Sequence, residues 1–226
     1  MRFAVTLVLL TFWSLGVSGF AQVVTGNVTT SSAGLFDDQQ AKNEAQLYKE
    51  KNLTPNQRAE VDRLENEARM LERSGQTDRA IERHSQVINI NPGDFDAMAR
   101  RGSLWLLKKE WAKAKADFVA SQELHPKAFT LVESANNFAW LLATCPDDSI
   151  RDGKLAVELA EKVYSRSPGI ATADTLAAAY AESGDFAKAV ETQKKVLALA
   201  QRIGDPEAVF AARLAEYETG KPHRVD

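Results

Sequence analysis

The sequence predicts an all-α solenoid of about four helix-turn-helix repeats, closed by one further helix. Two observations carry the prediction. Pairs of positions recur at an interval of 34 residues: Pro92 and Pro126, Ala80 and Ala114, Ala68 and Gly102, Leu71 and Trp105, His84 and Phe118. The seven prolines, Pro55, Pro92, Pro126, Pro146, Pro168, Pro206 and Pro222, all stand outside the runs of helical period. That is where proline is tolerated, because it breaks helix interiors but fits first turns and linkers.

The elements follow in chain order. Arg2 precedes an apolar run from Phe3 to about Val17, and Gly19 and Ala21 flank Phe20. This is the layout of a cleaved secretory signal over residues 1–21, with the mature chain starting at Gln22. The alternative is an uncleaved anchor, but the run falls short of the ~20 apolar residues a membrane span needs. Residues 22–36 are rich in small polar side chains and read as a flexible leader. Residues 37–53 favour helix but offer Leu47 and Tyr48 as their main apolar anchors. That helix is either packed on the end of the array or solvated. Thr54-Pro55-Asn56-Gln57 is a clean helix start, with a capping threonine, proline in the first turn and a glutamine that reaches back. Thr130 and Glu133 offer the same box.

The domain that follows, 54–226, divides at about 55–92, 93–126, 127–168 and 169–204, with a capping helix at 206–219. The first repeat carries Leu64, Ala68, Leu71, Gly75, Ala80 and Pro92; the second Gly102, Trp105, Trp111, Ala114, Phe118 and Pro126; the fourth Leu176, Ala177, Tyr180, Gly184, Phe186, Ala189 and Val196. A small residue, a large apolar one three later, then alanine, a large residue and proline at this period resembles the tetratricopeptide (TPR) repeat. The wording from Asn136 to Arg224 is similar to a C-terminal segment of exported or envelope-associated bacterial TPR proteins. The resemblance implies bacterial origin and brings no catalytic residue with it.

The third repeat needs two insertions. Ala139 to Ala156 spans 17 residues, against 12 from Gly102 to Ala114, and Pro126 to Ala139 spans 13, against 10 from Pro92 to Gly102. Its inner turn, 145–152, is therefore five residues longer than its counterpart. Since the two helices carry the packing, this turn is expected to be dispensable for folding and free to act in recognition. Val209, Phe210, Leu214 and Tyr217 give the last helix an apolar side that covers the final repeat. The residues after it read as a short tail.

Little points to chemistry. A formal net charge of −3 argues against a nucleic-acid binder driven by a basic field. His84, His125 and His223 have no metal-ligand spacing, and there is no phosphate loop or nucleophile elbow. Asp147, Asp148 and Asp152 lack the spacing of a calcium loop. No metal, cofactor or catalytic residue is expected. Cys145, the only cysteine, has no internal partner, and burial is the favoured reading.

Binding is the remaining class, and the resemblance implies a groove lined by the first helix of each pair. Its stripe reads Glu65 and Arg69; Ala99, Arg100 and Ser103; Asn136, Asn137 and Trp140; then Asp174 and Ala178. The family's clamp for acidic C-terminal carboxylates needs lysines that are absent here, and Glu65 and Asp174 oppose it. The expectation is a protein or peptide partner, with side-chain amides at Asn136 and Asn137 bonding an extended backbone and Trp140 as a flat anchor. The alternative is an assembly subunit of the cell envelope that uses its convex or terminal faces.

Overall fold

Pro55 opens the array under a complete capping box. The Thr54 hydroxyl accepts from the Gln57 amide, and the Gln57 side chain accepts from the Thr54 amide. From there the computed structural model describes residues 53–126, 133–204 and 207–225, together with 39, 40, 43 and 44. The signal and leader regions, Thr130 and Pro206 lie outside the described residues. Of the expected helix at 37–53, residues 39, 40, 43 and 44 are helical and exposed.

Among the described residues from Pro55 onward, nine helices follow one another and there is no strand: α1 (Pro55–Arg73), α2 (Thr77–Ile90), α3 (Phe95–Leu107), α4 (Trp111–Leu124), α5 (Glu133–Thr144), α6 (Gly153–Arg166), α7 (Ile170–Glu182), α8 (Phe186–Ile203) and α9 (Ala208–Glu218). The pairs α1–α2, α3–α4, α5–α6 and α7–α8 are packed hairpins, and α3, α5 and α7 also pack side by side. The first helices thus form one continuous face. None of the described helices is long and apolar enough to cross a membrane.

The repeat residues do the packing expected of them. Ala68, Ala114, Ala139, Ala156, Ala177 and Ala189 are fully buried. At Gly102 a Cβ would lie 2.9 Å from the Phe118 ring, so the α3–α4 crossing excludes any side chain there. Gly75 and Gly184 end α1 and α7 in the left-handed conformation, which favours glycine. Lys109, 34 residues after Gly75, takes the same conformation (φ 58°) after α3.

The long turn of the third repeat departs from expectation. Cys145 is fully buried and Ile150 is 6% exposed, both within the largest apolar cluster. The Arg151 guanidinium donates to the Cys145 and Pro146 carbonyls at 2.9 and 3.1 Å, and its Nε reaches Glu182 of α7 at 2.9 Å. Lys115, from α4, donates to the carbonyls of Ser149 and Ile150, both at 3.1 Å. The turn is therefore a brace between the second, third and fourth repeats. The structure opposes the expectation that it is dispensable: Ile150 fills core, Lys115 of the second repeat holds two of its carbonyls, and Arg151 ties it to Glu182 of the fourth.

The last helix also differs in part. Tyr217 is fully buried against Ala177, Ala181 and Ala189, while Phe210 and Leu214 are half-buried and Val209 is 40% exposed. Residues 221–225 have no regular structure but are no loose tail. The Val225 amide donates to the Thr144 carbonyl at 3.0 Å, and Arg224 donates to the Ala143 carbonyl at 3.2 Å. The chain thus returns from α9 to the end of α5.

Candidate functional site

The face formed by the first helices falls into two parts. The upstream part is polar and open. On α1, Glu65 pairs with Arg69 at 3.2 Å, one helical turn apart. Glu72 lies 2.5 Å from the buried His84 ring and 3.6 Å from Arg100, which also pairs with Asp96 at 3.0 Å. Beside this ion-pair group, the Asn137 amide donates to the Ser103 hydroxyl at 3.1 Å, and the Ser134 hydroxyl stands 3.1 Å from the same oxygen. These groups border a hollow of about 240 Å³ between α3 and α5, lined among others by Glu72, Asp96, Arg100, Leu107, Glu133 and Asn137. Leu107 is 55% exposed at its edge.

The downstream part is covered. Asn136, Trp140 and Asp174 are each less than a tenth exposed. Arg213 of α9 pairs with Asp174 and places its guanidinium 4.8 Å from the centre of a Trp140 ring. The His223 ring centroid lies 5.9 Å from that of Trp140. Gln193 of α8 donates to Asp174 at 3.0 Å. Arg224 pairs with Glu182 at 2.6 Å, on the carboxylate that also receives Arg151. The Asn136 side-chain oxygen is buried without a hydrogen-bond partner.

The expected stripe is therefore split. Glu65, Arg69, Arg100, Ser103 and Asn137 line the open part. Asn136, Trp140 and Asp174 lie buried at the covered end, and the expectation of Trp140 as an open anchor is corrected. The cause is the course of α9 and of the residues after it, which lie along this face as well as ending the stack. Sequence reasoning passed over Glu72, Asp96 and Glu133, which stand one turn or less from the traced positions. It also passed over Arg213 and Arg224, whose partners lie 39 and 81 residues away. The only signal for the latter was the basic cluster Lys221, His223 and Arg224.

Other reactive groups are occupied by packing. Burial pushes the Cys145 thiol up, away from the reactive thiolate. His125 sits against Phe95, with ring centroids 5.5 Å apart, and His223 pairs with Glu216 at 2.8 Å. Among the described residues no group of three or more His, Cys, Asp or Glu is placed to hold a metal ion.

No family model matches the chain, and no curated protein matches it in sequence. Solved structures do match in shape. MamA residues 41 to the end, from Desulfovibrio magneticus RS-1, aligns with a TM-score of 0.53 at 17% identity, covering 71% of this chain and 89% of that one. A second MamA structure aligns with a TM-score of 0.50 at 20% identity, covering 76% and 93%. TPR-like repeats described as those of a Podosopora anserina kinesin light chain align with a TM-score of 0.53 at 17% identity, covering 75% and 89%. Helix hairpins stacked through small crossing residues, joined by these likenesses in shape, show the fold to be an all-α TPR solenoid.

Proposed function

We propose that this protein is an exported, non-catalytic TPR module that binds a protein or peptide through the open part of its concave face. The observation that carries the reading is the Arg100–Ser103–Asn137 group at the mouth of the α3–α5 hollow. It presents a guanidinium, a hydroxyl and an amide side by side, which can both donate to and accept from an extended backbone. Leu107 adds an exposed apolar edge. Export, to the periplasm, envelope or exterior of a bacterium, is inferred from Arg2, the apolar run and Ala21 alone.

One preparation tests both parts. The full sequence is expressed in a bacterial host, the exported form is weighed intact, and that form is used to select binders from a displayed random-peptide library. The expected mass begins at Gln22. The selected peptides are expected to lose about tenfold or more in affinity on Asn137→Ala, with the melting curve unchanged. A product that retains Met1 sinks export. Binders indifferent to Asn137→Ala and Arg100→Ala sink the groove.

A second reading rests on the far end of the array. Ile203 is 56% and Val209 40% exposed there, on α8 and α9. Such side chains suit a subunit held in an assembly by its terminal face.

A further inference from the structure

We infer that the concave face selects an extended basic segment, and that residues 221–225 are its built-in example, seated at the far end of the groove. This rests on the reading of that face as a binding surface. The first argument is charge. Along α1, α3 and the start of α5 the face carries Glu65, Glu72, Asp96 and Glu133 against Arg69 and Arg100, a surplus of two negative charges. The second is what already lies on the covered part. The segment "KPHRV" carries Lys221, His223 and Arg224 and no acid. It has no regular structure, and it makes its bonds to the face with donors. Arg224 serves the Ala143 carbonyl and the Glu182 carboxylate, and the Val225 amide serves the Thr144 carbonyl.

Those acceptors have a physical origin. Ala143 and Thr144 are the last two residues of α5, so their carbonyls have no partner within the helix. They form the negative end of its dipole, which favours cationic donors. A face of carboxylates and terminal carbonyls asks for a donor-rich strand. Arginine supplies five donors and no acceptor. Arg224 remains about a third exposed, and the end of the segment is held by one backbone hydrogen bond and by the packing of Val225 against the core.

The test uses the full chain and a fluorescein-labelled peptide of residues 219–226, compared with the same peptide carrying Lys221→Glu and Arg224→Glu. Arg224→Glu in the protein releases the internal segment. The released chain should bind the native peptide about tenfold or more tightly than the charge-reversed one, and more tightly than the unmodified chain does. Added salt should weaken that binding. Equal binding of both peptides, or binding of neither, by a released chain with a cooperative melt overturns the proposal. If Arg224→Glu does not fold, Val225→Pro, which removes the amide donor and the valine's apolar contact, takes its place. Failure of both to fold marks the segment as a structural strap and also overturns it. If library binders depend on Asn137 but are acidic or uncharged, the groove stands and the basic preference falls.

Discussion

The upstream and downstream parts of the face are built on one repeat motif, yet one is open and the other is filled. Upstream, position for position, the face offers Arg69 and Ser103, flanked by ion pairs and solvent. Downstream, the equivalent places hold Trp140 and Ala178, both buried. The difference teaches that a repeat motif fixes which side chains point inward and leaves open what meets them. Polar residues upstream keep their hydration. The aromatic ring downstream presents apolar area, and Arg213 of α9 with His223 lies over it.

Trp140→Ala should break the comparison most sharply. At 8% exposure, with Arg213 over its ring, the indole is core, and its loss should cost about 3–5 kcal/mol of stability. Chemical denaturation reads this directly. An unchanged midpoint would return Trp140 to the list of surface anchors. Ile150→Ala, in the brace, comes next at about 2–3 kcal/mol, because a buried isoleucine leaves a cavity. If the midpoint barely moves, the long turn is an ornament after all. The smallest effect is expected upstream. Arg69→Ala removes a partly buried pair one turn long and should change stability by only about 0.2–0.5 kcal/mol. A loss near that of Ile150→Ala would mean that the open part is held as tightly as the closed one.

Much of this fold was legible because it is local and repeated. The crossing at Gly102 and the helix ends at Gly75 and Gly184 each follow from a steric need that recurs at one period. The Thr54–Gln57 box was legible for the same reason, being complete within four residues. The candidate site was legible by half. Glu65, Arg69, Arg100, Ser103 and Asn137 follow from register, and register is what a repeat encodes. Trp140 and Asp174 were read in the right register but without their covers, since Arg213 and Arg224 arrive from 39 and 81 residues along the chain. Nothing in a local pattern specifies such a return. The brace was misread for a related reason: a loop's length shows that it is long, whereas Ile150 and Arg151 act through neighbours in other repeats.

The carboxylate of Glu182 has a consequence for how the array comes apart. Repeat proteins behave as near one-dimensional chains, in which each unit leans only on the next and the ends fray freely. Here one side chain receives Arg151 from the third repeat's turn and Arg224 from beyond the last helix. That knot joins the end of the stack to a unit that is not its neighbour. Opening the last hairpin therefore also disturbs the turn of the third repeat, so the two downstream units are expected to open together.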